Sequence, residues 1–307
     1  MEILLQQIVN GLVQGSVYAL VALGYTMVYG ILGLINFAHG EVVMVGAMIA
    51  MTVLQALLAA ALAPLLALLL SLLAAMAVCM ALGYSIERIA YRPLRNAPRL
   101  APLITAIGVS IVLQNLAMMI WGREYHSFPL PFNSTSHQFG GAIVNDVQIA
   151  IVIIALLIMS ALMWLVHRTR MGRAMRAVSE NPAAAALMGV DIDRVISVTF
   201  MLGSALAAVA GFMVSANYGI VHYYMGFMLG LKAFTAAVLG GIGNLRGAML
   251  GGVLLGLIES LGAGYIGDIT GGFLGSNYQD VFAFFVLIAV LIFRPSGLLG
   301  EKLAERA

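Results

Sequence analysis

Long apolar runs separated by short polar segments make up most of the chain. A helix needs about 20 apolar residues to cross the roughly 30 Å hydrocarbon core of a membrane. By that criterion the pattern predicts nine membrane-spanning helices, at 8–29, 41–58, 62–85, 101–121, 147–167, 196–217, 229–244, 247–265 and 279–293. The seventh run is short and rich in glycine, so eight to ten crossings are compatible with the pattern.

Most basic residues lie in a few of the connecting segments. They follow the third run (Arg88, Arg92, Arg95, Arg99), the fifth run (Arg168, Arg170, Arg173, Arg176, Arg194) and the last run (Arg294, Lys302, Arg306). The segment 122–146 holds only Arg123. Because short cytoplasmic loops are enriched in Lys and Arg, nine crossings with a periplasmic N-terminus and a cytoplasmic C-terminus place all three basic groups inside.

The composition supports an all-α polytopic membrane protein. Hydrophobic residues make up 62% of the 307 residues and charged residues only 9%, whereas soluble domains carry about 25% charged residues. No polar segment is long enough for a soluble domain, and no basic patch favours nucleic acid. The single cysteine, Cys79, excludes a disulfide framework within the chain. The first seven residues lack Lys and Arg, which favours an uncleaved spanning helix over a signal peptide.

Motifs for enzymatic chemistry are missing from the sequence. The only lysines are Lys232 and Lys302, and neither precedes Ser or Thr, so the chain has no Walker A loop for ATP. It also has no H-E-x-x-H zinc motif and no G-x-S-x-G nucleophile motif. We therefore expect no enzymatic activity, no metal and no cofactor in this chain.

The longest connecting segment, 168–195, predicts a short helix. Asn181 can cap it, Pro182 suits its first position, and Gly189 can end it in the left-handed conformation. Two interpretations stay open: an ordinary helix lying on the membrane surface, or a docking element for a cytoplasmic partner.

Polar residues also interrupt the apolar pattern. The stretch "GLINFAHGEVV" contains Asn36, His39, Gly40 and Glu41, and isolated charges occur at Lys232 and Glu259 in later runs. Charged groups in a membrane usually face the protein interior or a water-filled path, and a broken helix can line such a path. The alternatives are that His39 and Glu41 lie in a turn at the inner membrane edge, that Lys232 extends to the outer interface, and that Glu259 forms a structural pair.

A second asparagine–glycine pair echoes the first. Asn36 and Gly40 precede one helix of small residues, and Asn244 and Gly247 precede another. Faint internal symmetry of this kind is common in transporters with two halves. From spacing alone, a true repeat and a coincidence stay equally open.

Several long phrases resemble the branched-chain amino acid permease family of ABC importers, specifically its LivH-type subunit. They are "GSVYALVALGYTMVYGILGLINFAHGE", "ERIAYRPLRNAPRLAPLITAIGVSIVLQN", "KAFTAAVLGGIGNLRGAMLGG" and "FRPSGLLG". In addition, "ENPAAAALMG" resembles the cytoplasmic coupling loop of such permeases, although Ala183 stands where that loop commonly has Glu, and Glu180 lies three residues earlier.

The resemblance implies one transmembrane permease domain over 1–307, with two inverted pseudo-symmetric halves (1–167 and 196–307) joined by the coupling loop 168–195. It implies residues that couple the permease to an ATPase: Arg173, Arg176, Glu180, Asn181, Pro182, Ala184, Ala185 and Gly189. Together with the polar pattern, it suggests a translocation pathway that includes Asn36, His39, Gly40, Glu41, Lys232 and Asn244.

The family further implies an importer of Leu, Ile and Val in the bacterial inner membrane. Its other subunits would be a second, LivM-type permease, two cytoplasmic ATPases that bind ATP and Mg²⁺, and a periplasmic substrate-binding protein. Urea, short amides or other amino acids are alternative substrates. An ion-coupled secondary transporter and a channel-like facilitator are the competing classes.

Overall fold

The computed structural model describes residues 2–95, 97–98, 100–132, 135–271, 273 and 278–300. Of the basic residues used to predict orientation, Arg99, Lys302 and Arg306 lie outside these ranges. Within them the α-helices are α1 (Glu2–Leu32), α2 (His39–Ala59), α3 (Pro64–Ile86), α4 (Leu100–Trp121), α5 (Asp146–Arg168), α6 (Arg170–Glu180), α7 (Pro182–Leu187), α8 (Ile192–Tyr218), α9 (Met225–Gly240), α10 (Leu245–Ile269) and α11 (Gln279–Phe293).

Each of the nine predicted apolar runs coincides with a helix. Among the described residues, seven helices are long and apolar enough to cross a membrane, and α9 and α11 are shorter apolar helices. The predicted boundaries of the seventh run, 229–244, were wrong by four residues at each end. Gly241 and Gly243 have φ angles of +108° and +95°, so the chain turns there and does not continue the helix.

Short strands occur only in the connections of the described chain. Strand β1 (His126–Ser127) pairs antiparallel with β4 (Ile220–Val221), and β2 (Ser136–Phe139) forms a hairpin with β3 (Ala142–Asn145). The prediction of an all-α polytopic membrane protein is therefore confirmed, with the strands restricted to the segments that follow α4 and α8.

The chain divides into two compact units that are not its sequential halves. Unit 1 comprises 1–26, 134–159 and 232–307, and unit 2 comprises 27–133 and 160–231. In unit 1, α1 and α10 approach through glycines, since a Cβ on Gly15 would lie 2.8 Å from the Cα of Val253. The predicted inverted symmetry stays a prediction.

Helices α2, α3 and α8 pack against one another and form the core of unit 2. Small residues permit this, because a Cβ on Gly46 would lie 2.6 Å from the Cα of Ala208 and 3.3 Å from Sγ of Cys79. Such close backbone approach is how helices associate without a hydrophobic driving force from water. Helix α3 continues through a π-helical turn (Glu87–Tyr91) and a 3-10 turn (Arg92–Leu94) before α4 begins.

Candidate functional site

The interruption between α1 and α2 is organised by Asn36. Gly33 ends α1 with a φ of +62°, and the chain has no regular structure until the turn that precedes His39. The Oδ1 atom of Asn36 accepts a hydrogen bond from the backbone N–H of Ala38 at 3.1 Å and another from the hydroxyl of Tyr91 at 3.0 Å. Asn36 is 4% exposed, so this side chain holds the interruption in shape from inside the protein.

Helix α2 begins beside the middle of α4. Glu41, in its first turn, accepts hydrogen bonds from Ser110 at 3.2 Å and Gln114 at 2.6 Å, both on α4. Further along, Trp121 at the end of α4 donates to Thr52 of α2 at 2.8 Å. The two helices therefore run in the same direction, and Ser110 lies about 15 Å along the axis from the start of α4.

The first turn of α2 meets the first turns of α9. A Cβ on Gly40 would lie 2.5 Å from the carbonyl oxygen of Gly226 and 2.7 Å from the Cα of Gly230. Helix α9 therefore also begins at the level where α2 begins. Its 16 residues extend only about 24 Å, which explains why the seventh run is too short to cross a roughly 30 Å membrane core.

Glu41 lies inside this junction. Its side chain is 1% exposed, and a Cβ on Gly226 would lie 2.7 Å from its Oε2 atom. Oε1 accepts the hydrogen bonds from α4, whereas Oε2 accepts none from the described residues. His39 is likewise buried, at 2% exposure. One alternative for these two residues was a turn at the inner membrane edge. The position of Glu41 beside the middle of α4 disagrees with that alternative.

A second polar cluster lies within unit 1. Lys232 of α9 forms ion pairs with Glu259 of α10 at 3.2 Å and with Asp280 of α11 at 2.6 Å. Glu259 also accepts hydrogen bonds from Tyr18 at 2.8 Å and Gln14 at 3.0 Å, both on α1. Four helices therefore converge on the buried ion pair between Lys232 and Glu259. The structural pairing expected for Glu259 is observed, and Lys232 is engaged inside the unit instead of extending to the outer interface.

Asn244 caps the start of α10. Its Oδ1 atom accepts from the N–H of Gly247 at 3.1 Å, and its amide donates to the carbonyl of Leu299 at 2.9 Å. Asn36 and Asn244 thus share one local role, because each accepts from backbone N–H groups ahead of a helix. This shared role does not by itself establish a repeat.

The segment 168–195 forms the two helices α6 and α7. As expected, Asn181 caps α7 by accepting from the N–H of Ala184 at 3.0 Å, Pro182 is its first residue, and Gly189 has a φ of +82°. Arg173, Arg176 and Glu180 are exposed on α6, and Ala184 is exposed on α7. Ala185 is buried, so its side chain does not contribute to the exposed surface of α7.

Leu187 and Met188, at the end of α7, were not singled out by the sequence. They are 89% and 85% exposed, outside the long apolar helices. Helix α6, just before α7, buries Met175 and Val178. Two large apolar side chains left uncovered on a polar connection are compatible with either alternative for α7, contact with a protein partner or with the membrane surface.

Comparison with known proteins assigns the chain. The family model described as branched-chain amino acid transport system / permease component matches residues 7–291. The chain belongs to this permease family. The permease is 48% identical to the high-affinity branched-chain amino acid transport system permease protein BraD of Pseudomonas aeruginosa, over 98% of this chain and 97% of BraD.

Two further relatives show the range of the family. The permease is 45% identical to the high-affinity branched-chain amino acid transport system permease protein LivH of Escherichia coli, over 98% of this chain and 97% of LivH. It is 32% identical to the autoinducer 2 import system permease protein LsrC of Klebsiella pneumoniae, over 66% of this chain and 58% of LsrC. No solved structure matches the permease significantly.

Several contacts of the permease were not foreseen from its sequence. They involve the partners of Glu41 (Ser110, Gln114), of Glu259 (Gln14, Tyr18), of Lys232 (Asp280) and of Asn36 (Tyr91). Isolated Gln residues within apolar runs were the available signal, because a buried amide needs hydrogen-bonding partners. Among the described residues, no group of three or more His, Cys, Asp or Glu could hold a metal ion.

Proposed function

We propose that this permease is the translocation subunit of an ABC importer for leucine, isoleucine and valine in the bacterial inner membrane. The observation that carries the proposal is the identity of 45–48% to BraD and LivH along nearly the whole chain. Both relatives are described as high-affinity branched-chain amino acid permeases. The similarity to LsrC, which spans about two thirds of this chain, shows that related permeases also belong to import systems for other cargo.

The proposed importer contains further subunits. The chain has no Walker A loop, so two cytoplasmic ATPases would bind ATP and Mg²⁺. A second, LivM-type permease would complete the membrane pathway, and a periplasmic binding protein would deliver the substrate. In this proposal the N-terminus is periplasmic and the C-terminus cytoplasmic, which puts the arginines of α6 on the cytoplasmic side.

Helix α7 is proposed to dock on one of the ATPases. It is short, capped at both ends, and presents Ala184 together with the uncovered Leu187 and Met188. Arg173, Arg176, Glu180 and Asn181 would frame this contact with charge and polarity. ATP binding and hydrolysis would then move α7 and switch the pathway from outward-open to inward-open.

The proposed pathway passes the junction of α2 and α9. Interrupted helices that begin within the membrane are how many transporters present backbone groups to a zwitterion, and their N-terminal ends favour a carboxylate. Asn36, His39, Gly40 and Glu41 all lie at this interruption. Lys232 and Asn244 remain predicted pathway residues, although contacts within unit 1 already engage their side chains.

The coupling part of the proposal is tested by Ala184→Glu in the complete importer in proteoliposomes. A carboxylate buried without a partner costs several kcal/mol, so leucine uptake should fall more than about tenfold, while ATP hydrolysis and membrane insertion persist. Ala60→Glu, at an exposed position between α2 and α3, is the matched control. Normal leucine uptake by Ala184→Glu would disprove the docking role of α7.

The substrate is tested with the same preparation. Labelled leucine uptake should depend on ATP and on the binding protein, and isoleucine and valine should compete for it. Accumulation of urea or a short amide in place of leucine would change the substrate class. Uptake by the permease alone, driven by an ion gradient, would replace the importer by a secondary transporter.

A further inference from the structure

One face at the beginning of α8 contacts the segment 87–95. Asp193, Ser197 and Phe200 are spaced four and three residues apart, so they form one stripe along the helix. All three contact residues of this segment, which consists of the π-helical and 3-10 turns that follow α3. The segment is therefore held against α8 along two turns and not at a single point.

Charged groups make the first two contacts. Asp193 forms ion pairs with Arg92 and Arg95. Arg95 also pairs with Glu87, whose side chain is completely buried, and Ser197 donates to Oε2 of Glu87 at 2.7 Å. Since a buried carboxylate is costly unless its hydrogen bonds are satisfied, this arrangement holds α8 and the π-helical turn together.

Tyr91 makes the third contact and extends it to the membrane interruption. Its ring packs against Phe200 with centroids 5.3 Å apart. Its hydroxyl donates to Oδ1 of Asn36 at 3.0 Å, the same atom that accepts the N–H of Ala38. A single buried side chain thus connects α8 with the segment that sets the start of α2.

The N-terminal end of the stripe, at Asp193, follows closely after α7 in the chain. The N–H of Val190 bonds the carbonyl of Ala185 at 3.0 Å, and Asp191 caps α8 by accepting from the N–H of Arg194 at 3.1 Å. Only the short junction 188–191 separates α7 from α8. Asp193, in the first turn of α8, therefore lies only six residues after the end of α7 at Leu187.

The π-helical turn supplies an element that can change its conformation. The N–H of Arg92 bonds the carbonyl of Glu87, five residues earlier. Single π turns within α-helices are uncommon and are frequently found at functional sites. Conversion to α-helical bonding would rotate Tyr91 relative to α3 and shift its hydroxyl away from Asn36.

We infer that the segment 87–95 is the mechanical link that transmits movement of α7 to the α1–α2 interruption, with Glu87, Tyr91, Asp193 and Ser197 as positioning residues. This inference rests on the proposed function, because that function supplies the force on α7. It adds the route by which the force reaches the pathway.

The test uses Tyr91→Phe, which keeps the ring and removes only the hydroxyl. Tyr84→Phe is the matched control, because Tyr84 lies two turns earlier, its side chain is exposed, and its hydroxyl accepts a hydrogen bond from Arg88 at 3.2 Å. In proteoliposomes that contain the complete importer, leucine imported per ATP hydrolysed should fall between about twofold and about thirtyfold for Tyr91→Phe. The control should keep the original ratio.

A second pair of variants guards against a simple loss of stability. Ser197→Ala removes the hydrogen bond to Glu87, whereas Ser85→Ala removes only a bond to the carbonyl of its own helix at Ala81. Ser197→Ala leaves the buried carboxylate of Glu87 with one hydrogen bond fewer, so it should lower the unfolding midpoint; it should also lower the ratio at a temperature where the variant is fully folded, whereas Ser85→Ala should lower neither. An unchanged ratio in both Tyr91→Phe and Ser197→Ala would overturn the link.

The docking variant separates the two proposals. If Ala184→Glu uncouples ATP hydrolysis from uptake but Tyr91→Phe and Ser197→Ala do not, the link is wrong and the docking of α7 stands. If Ala184→Glu also transports normally, the proposed coupling through α7 fails, and the link fails with it.

Discussion

The contact between α2 and α9 predicts a strong effect of one added methyl group. In Gly40→Ala the new Cβ would lie 2.5 Å from the carbonyl oxygen of Gly226 and 2.7 Å from the Cα of Gly230, whereas ordinary contact begins at 3.4 Å. The opposing atoms are backbone atoms, so no side-chain rotation relieves the overlap. The helices must separate by close to 1 Å, and overpacking of this kind costs about 1–3 kcal/mol.

Gly108→Ala provides the control for helix propensity. A Cβ on Gly108, within α4, meets no atom within 4 Å. There the substitution should stabilise the helix by up to about 1 kcal/mol, because alanine loses less conformational entropy than glycine.

Thermal unfolding of the purified permease and leucine uptake by the complete importer check both variants. Gly40→Ala should unfold at a lower temperature than the original chain and take up less leucine, whereas Gly108→Ala should do neither. If Gly40→Ala matched Gly108→Ala in both measurements, α2 and α9 would not be in close contact in the working protein. The proposed position of the pathway at their junction would then lose its support.

Further predictions concern the buried ion pair and the cap of α7. Lys232→Met should destabilise the permease by about 3–5 kcal/mol, because it leaves the carboxylates of Glu259 and Asp280 without their cation; an unchanged unfolding midpoint would refute this. Asn181→Ala should weaken α7 by about 0.5–2 kcal/mol, seen as faster amide hydrogen exchange in 182–188. Ser179→Ala, which removes an exposed bond to the preceding turn, should leave that exchange unchanged.

The helices and the caps of the coupling segment could be predicted because their causes are local. Apolar length alone decides whether a helix can cross a membrane, and each predicted run coincides with a helix. The start of α7 at Pro182, its cap at Asn181 and its end near Gly189 follow from the local chemistry of these three residues. The end of α9 at Gly240 was missed because the apolar pattern continues past the two glycines with positive φ.

The depth of a polar residue within the protein, and the residue with which it pairs, could not be predicted in the same way. Glu41 lies only a few residues after the end of α1, which is compatible with an exposed turn until its hydrogen bonds to Ser110 and Gln114 place it beside the middle of α4. Lys232 and Glu259 are 27 residues apart in the sequence, and no periodicity indicates that they meet. Contacts between distant segments depend on how helices pack, and that information is spread over many small residues.

The sequence by itself determined the class of protein, the positions and order of its long apolar runs, the capped helix α7 and the absence of an ATP-binding loop. These properties follow from composition, apolar length and local backbone preference. Only the tertiary structure decided that α2 and α9 begin inside the protein, that one lysine joins two carboxylates, and that Tyr91 connects α8 with Asn36. The physical reason is that the burial and pairing of polar groups depend on which helices pack against one another. No local stretch of the sequence contains that information, so the tertiary structure is needed to see it.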